Sequence, residues 1–291
     1  MKSLINLFIT SFIFILTAYS QETNLTEVLL PERSPKSLIE QSVGLTKFKI
    51  SYNRPSKKGR TIFGNLVPFG DLWRTGANAN TTITASTPFT IAKKQINAGT
   101  YAIFTIPNKE YWEVILYSDH NGWGTPEKID ESKIVLKTKI NTKHLTSTVE
   151  SFSINFTDLN SNKANLNLEW ENTRVTIPIY LDTKKYALNN INSFLSPHEL
   201  NFRKMASYLI SEGIELEKSL DICDQIIEKN KGQLSGVWGY HFKALAYKKL
   251  NKSRDSKTQI EQGIKYVNSI ESLSNESKKE LINILKENKI L

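Results

Sequence analysis

The sequence predicts a multi-domain α+β protein: an antiparallel β-sandwich of jelly-roll-like form, followed by an α-helical segment. Two periodicities carry this. From about residue 45 to 182 apolar side chains recur at every second position, and after about residue 185 they recur at helical spacing. A third observation sets the type of sheet. No helical crossover lies between the strand-like runs, so their order reads as antiparallel rather than as parallel α/β.

The chain opens with Lys2, an uncharged apolar run over residues 4–19, and Ala18-Tyr19-Ser20, which puts small residues at the two positions a signal peptidase reads. This pattern predicts a secretory signal over residues 1–20 and a mature start at Gln21. The product is then exported, periplasmic or extracellular, with no transmembrane span after signal cleavage. An uncleaved anchor is the alternative, although the run is short for the ~30 Å of bilayer hydrocarbon. Residues 21–44 read as a lead-in segment, 45–182 as the sandwich domain, 183–200 as a linker and 201–291 as the helical part.

Within the sandwich the strands declare themselves by alternation. In YWEVILYSD, Trp112, Val114 and Leu116 share one face, against Tyr111, Glu113 and Ile115. SFSINFTDL sets Phe152, Ile154 and Phe156 against serine and asparagine, and NLNLEW does the same with Leu166, Leu168 and Trp170. One buried face per strand is expected. Turns are expected at Lys93-Lys94, at Asn97-Ala98-Gly99 and at Pro107-Asn108-Lys109. Glu171-Asn172-Thr173 reads as a hairpin between LNLEW and RVTIPIY.

The helical part begins at Ser196-Pro197, a natural helix start, and carries a stripe of Leu220, Cys223, Ile226 and Ile227. Ala206, Ser219, Cys223 and Ile226 have counterparts about 37 residues on, in Ala244, Ser256, Ile260 and Gly263. Small residues at matched places let paired helices approach. The pattern resembles a degenerate tetratricopeptide pair, and an ordinary helical hairpin array is the alternative. Such a segment needs a neighbour, a capping helix or a protein partner to complete its core.

Composition narrows the function. Cys223 is the only cysteine, so no intramolecular disulfide forms, and its helical setting predicts a buried small hydrophobe. The net charge of +9 is spread through the chain rather than gathered in a tract. That favours a solvated basic surface over nucleic-acid binding. No nucleophile elbow, phosphate loop or zinc-protease motif occurs, and Gly122-Trp123-Gly124 lies between strands as a turn. His120, His144, His198 and His241 have no metal-site spacing. No metal and no cofactor is expected. A hydrolase built from Asp71, Glu113 and Asp119 stays open on this reading.

The notable polar cluster is SYNRPSKKGRTIFGNLVPFGDLWRTGANANTTI. It gathers Tyr52, Arg54, Lys57, Lys58, Arg60 and Arg74, with Trp73 nearby and Asn78 in the following turn. If its loops share one end of the sandwich, the guanidiniums converge on an anion, and Trp73 stacks on a ring or sugar. Tyr52, Arg54, Arg60, Trp73, Arg74 and Asn78 are therefore the candidate ligand-binding residues. The competing role for Arg74 is structural, bonding backbone carbonyls and Asp71 to brace its own loop.

That cluster, with NAGTYAIFTIP, WEVILYSDHNGWG and LNLEWENTRVTIPI, resembles the exported bacterial "domain of unknown function 2911" family over about residues 45–182. The helical tail resembles the helix repeats that often follow this domain. The resemblance implies a secreted or periplasmic protein of Bacteroidota-like type, and it implies no activity. In that family Trp-Arg-Thr-Gly-Ala-Asn commonly continues with Glu; here Ala79 follows, which counts against catalysis.

Together these readings favour a non-enzymatic binding protein. Its ligand is an anionic small molecule or glycan, and its helical tail offers a contact surface for a protein partner. A hydrolase acting on glycan or other envelope material and a purely structural envelope protein are the alternatives.

Overall fold

A computed structural model of the chain describes residues 30–193 and 199–289. The signal segment, the start at Gln21 and the Ser196-Pro197 helix start lie outside the described residues. The chain divides into two compact units, meeting at residues 184 and 185. Its class is α+β. No described helix is long and apolar enough to cross a membrane.

The first unit holds strands β1 (Lys36–Val43), β2 (Thr46–Asn53), β3 (Thr82–Ala85), β4 (Phe89–Ile91), β5 (Lys94–Ile96), β6 (Gly99–Pro107), β7 (Tyr111–Tyr117), β8 (Ile134–Thr157) and β9 (Lys163–Tyr180). They form one sheet in the order β1-β2-β3-β6-β7-β8-β9-β4-β5, and every pairing is antiparallel. Alternation explains the individual strands. In β2, Thr46, Phe48, Ile50 and Tyr52 point inward while Lys47 and Lys49 face water. Long β8 pairs with β7 through its first third and with β9 beyond it. The Phe48 ring of β2 meets Phe89 of β4 and Phe156 of β8, each at 5.6 Å. Strands distant in the ladder thus share one core, so the sheet curls over itself.

Three expectations need correction. β1 lies inside residues 21–44, which read as a lead-in. It is an edge strand with Leu38 exposed and Ile39 only half buried, so its alternation is faint. Glu171-Asn172-Thr173 is not a hairpin, because β9 runs through it unbroken. Glu171 takes a positive φ of 54° where the β8–β9 register shifts, so the three residues form an irregularity within the strand. Asn172 ties it down, donating to the Leu145 carbonyl and accepting from Thr148 Oγ1, both at 3.1 Å. Finally, β6 and β7 are buried on both faces. Their second face holds Ala102, Phe104, Ile115 and Tyr117, covered by Leu72 and Ile129 from connecting segments.

The second unit is helical: α1 (Thr183–Ser193), α2 (Glu199–Glu212), α3 (Leu216–Lys229), α4 (Val237–Lys249), α5 (Ser253–Ser269) and α6 (Asn275–Glu287). Helix α1 occupies residues read as linker. Successive helices from α2 to α6 pack on one another. Ala206, Ser219, Cys223, Ile226, Ala244, Ser256 and Gly263 are all buried, and burial pushes the Cys223 thiol pKa upward. A Cβ at Gly239 would stand 2.8 Å from the Cys223 carbonyl, so the close approach of α3 and α4 requires glycine there.

His241 of α4 is 1% exposed, between the rings of Trp238 and Phe242 at 5.7 and 5.6 Å. Neither ring nitrogen has a hydrogen-bond partner of normal geometry. Desolvation lowers its pKa, with a smaller opposing influence from the Lys289 backbone. The unfolded chain therefore takes up a proton, below about pH 6.5, that the folded unit resists. Stability is complete above that pH and falls as acid is added. Thermal melts of the helical far-UV signal should show a falling midpoint from pH 7 to pH 5, and His241→Phe should flatten that slope.

Candidate functional site

A cleft of about 620 Å³ opens beside the curled sheet, lined by Arg33, Lys58, Arg60 and Arg74, with no acid among the described residues of its wall. Leu66, Val67, Trp73, Ala77 and Trp170 supply apolar surface, and Ser34 and Ser56 supply hydroxyls. Each cation arrives by a different physical route.

Trp73 sets the position of the loop that bears Arg74. Its backbone pairs with Thr105 of β6 in both directions, at 2.8 and 2.9 Å. Its ring stacks on Trp170 at 5.9 Å and 21°, and meets Phe152 at 5.1 Å and Trp112 at 5.9 Å, edge to face. The indole Nε1 donates to the Gly76 carbonyl at 3.0 Å, closing the turn upon itself. Thr75 is fully buried at φ 58°, a left-handed conformation that a β-branched residue rarely adopts. It is held there because Thr81 donates to its carbonyl at 2.6 Å and Thr105 shares a hydroxyl contact at 3.1 Å. Such strain persists only where the surroundings over-determine it.

Arg74 contributes nothing to that bracing. Its Nε is buried without a hydrogen-bond partner, and no described group bonds the rest of the guanidinium or pairs with it. Asp71 is exposed and forms no ion pair with it. Glycine at position 124 makes room for the side chain, because a Cβ there would lie 3.3 Å from Arg74 Nη1.

The other arginines differ. Arg60 donates to the carbonyls of Lys57 at 2.9 Å and Ser56 at 2.6 Å. Arg54 donates to the Phe152 carbonyl at 3.0 Å and lies beside the cleft rather than in its wall. Their loop hangs on β8, through Lys57 N–H to the Glu150 carbonyl and Lys58 N–H to the Glu150 carboxylate. Glu171, at the irregular point of β9, accepts from Ile62 N–H and lies 3.7 Å from Lys57 Nζ. Lys57 is thereby neutralised, whereas Lys58, in the cleft wall, forms no ion pair among the described residues.

The sequence cluster is thus divided. Arg60, Trp73 and Arg74 line the cleft; Tyr52, Arg54 and Asn78 do not. Tyr52 is core: its ring meets Phe152 at 5.8 Å, and its hydroxyl accepts from Ile154 N–H at 3.1 Å. Asn78 is a turn residue at φ 59° whose carbonyl accepts from Gly124 N–H. Arg33 is a lining residue that the sequence did not flag. It is brought in where Asn53 bonds the Ser34 carbonyl at 2.9 Å and Arg54 N–H bonds the Pro35 carbonyl at 2.9 Å. Among the acids weighed for hydrolysis, Glu113 pairs with Lys137 and Lys139, and Asp119 with Lys133. None of Asp71, Glu113 and Asp119 reaches the cleft. Among the described residues no group of three His, Cys, Asp or Glu could hold a metal.

Two neighbouring residues should therefore respond oppositely to truncation. Trp73→Ala should lower unfolding free energy by about 3–5 kcal/mol, as expected for a buried indole. Arg74→Ala should change it by no more than about 0.5 kcal/mol, or raise it, because no bond is lost. Paired denaturant titrations measure both.

Comparison with known proteins adds a family and nothing narrower. The family described as "Protein of unknown function (DUF2911)" matches residues 34–179, half of the chain. No curated protein and no solved structure matches.

Proposed function

From a chain that belongs to the DUF2911 family, for which no activity is stated, we propose an exported, non-enzymatic binding protein whose cationic cleft takes an anionic small molecule or acidic glycan. Arg74 carries this reading. A guanidinium kept for structure fills its donors with carbonyl oxygens, as Arg60 does. Arg74 has a buried Nε without a partner, in a wall where the described residues include four cations and no acid. Carboxylate, sulfate or phosphate oxygens match the fork that it leaves open. The volume lies within the roughly 300–1,000 Å³ of small-molecule sites. It exceeds the needs of a bare inorganic anion, and the exposed Leu66 in its wall suits the carbon skeleton of a ring, whereas Trp73 and Trp170 are packed into the core.

Among the described residues that line it there is no aspartate, glutamate, histidine or cysteine, which favours binding over proton transfer. We read the curled sheet as a sandwich, which the Phe48 contacts with Phe89 and Phe156 support. The helical unit is read as a tetratricopeptide-like surface for a protein partner, supported by the matched buried positions of α2–α3 and α4–α5. Periplasmic or extracellular location follows from the apolar leader pattern.

Thermal-shift titration tests the ligand. The panel is phosphate, sulfate, small dicarboxylates, glucuronate and oligogalacturonates. A ligand at a hundredfold its Kd stabilises by about 2.7 kcal/mol. At least one should raise the midpoint of wild type; Arg74→Ala should abolish the shift and Arg74→Lys should keep part of it. A flat panel, or an equal shift in Arg74→Ala, overturns the reading. For location, N-terminal mass spectrometry of the exported product should begin at Gln21; an intact leader on a cytosolic product would refute export.

A further inference from the structure

A second cavity, separate from the cationic cleft, lies under the loop between β7 and β8. Its volume is about 310 Å³. Trp123 stands at its edge and is 76% exposed, whereas Trp73, Trp112 and Trp170 are buried. The indole is open to solvent, and its backbone is not loose. Asn80 N–H donates to the Gly122 carbonyl at 3.1 Å, Gly124 N–H donates to the Asn78 carbonyl at 3.2 Å, and Ala79 bridges Trp123. The tryptophan is therefore presented on a fixed frame, which lowers the entropy lost when a ligand stacks on it.

The rest of the cavity has the chemistry of a polyol site. Phe104 and Tyr117 form its apolar floor, their rings edge to face at 5.8 Å. Asp119 and Asp130 offer acceptors, and Lys128 and Lys133 offer donors. These two acids and two bases cancel, in contrast to the uncompensated cations of the cleft. Asp119 is fixed by Lys133 at 2.8 Å, and that hydrogen bond and charge hold its carboxyl below the usual range, so it is an acceptor at neutral pH. Asp130 is oriented by the N–H and hydroxyl of Ser132, at 3.0 and 2.6 Å. Asn80, 9% exposed, borders the cavity with its Oδ1 unpartnered.

An aromatic wall beside a neutral rim of paired donors and acceptors fits a ligand with one apolar face and a ring of hydroxyls. We propose that Trp123, with Asp119, Lys133 and Asn80, forms a binding site for an uncharged pyranose unit of an oligosaccharide. The C–H face of the sugar lies on the indole, and its hydroxyls exchange hydrogen bonds with the carboxylates and ammonium groups. The site does not rest on the anion reading; Arg74 Nη1 lies against Gly124 at its border, and Arg74 is not among its lining residues. An acidic glycan held in the cleft is not required for it.

The test is saturation-transfer NMR on the full chain, using neutral tetrasaccharides of β-linked glucose, N-acetylglucosamine and xylose, and of α-linked glucose. Acrylamide quenching of tryptophan is followed in parallel. At least one probe should receive saturation and shield Trp123 from quencher. Trp123→Ala should weaken its binding by at least about tenfold, the scale of a lost stacking contact. Trp123→Phe should retain part of the affinity, and Asp119→Asn should reduce it. Lys58→Ala, at a residue that lines the cleft and not this cavity, should bind these sugars as wild type does, so failure of this site and failure of the cleft are separately visible. Melting curves confirm that each variant folds, as expected for an exposed side chain. Absence of saturation across the four probes overturns the proposal, as does unchanged binding in Trp123→Ala. Quenching that is low at high protein concentration and rises on dilution overturns it too, because a second copy then covers the indole.

Discussion

The first unit depends on the seating of Trp73. One indole joins the aromatic core to a loop that has no regular structure of its own. Its stack on Trp170 and edge contacts with Phe152 and Trp112 draw on three strands, while Nε1 reaches back to Gly76. Without that ring the turn has no reason to hold Thr75 in a left-handed conformation. The shape of the cleft follows, because Trp73, Arg74, Gly76 and Ala77 line it. Aromatic burial thus sets the geometry here, and the polar chemistry is attached to it.

Charge is distributed by the same logic. Six cationic side chains belong to the segments around the cleft, and they have three fates. Lys57 is neutralised by Glu171, and Arg54 and Arg60 are occupied by carbonyl oxygens. Arg33, Lys58 and Arg74 keep their charge for solvent or a guest. A concave wall of one sign focuses potential and draws in counter-ions. The irregularity at Glu171 matters to this pattern: by interrupting the β9 register it turns a carboxylate toward the loop at Lys57 and Ile62, away from the open arginine.

Alternation made the strands legible, since a period of two is a local property that survives any tertiary context. β2, the first half of β7 and the inward faces of β8 and β9 follow it closely. What local pattern could not convey depends on distant partners. β1 is faint because an edge strand needs little apolar contrast. The second covered face of β6 and β7 exists only because Leu72 and Ile129 fold over it. Glu-Asn-Thr has the same composition whether it turns a hairpin or bends a strand, and only the partner strand decides. At the site, proximity in sequence grouped Tyr52 with the arginines, while its inward register on β2 placed it in the core. Arg33 enters the cleft through hydrogen bonds from Asn53 and Arg54, and no spacing rule announces those.

Trp73 and Arg74 also show how stability and function divide between adjacent residues. A buried donor without an acceptor costs about 1–3 kcal/mol, so Arg74 Nε, which no protein group bonds, carries a penalty. This chain has a single, buried cysteine and hence no disulfide to offset such a cost. The offset comes from next door, where a fully packed indole contributes several kcal/mol on the usual scale of aromatic burial. A fold kept only for shape gains nothing from leaving a guanidinium unbonded, since turning it to a carbonyl, as Arg60 does, removes the penalty without a ligand. An unbonded arginine held beside an over-determined turn is therefore the arrangement expected where donors are reserved for something that arrives from solution.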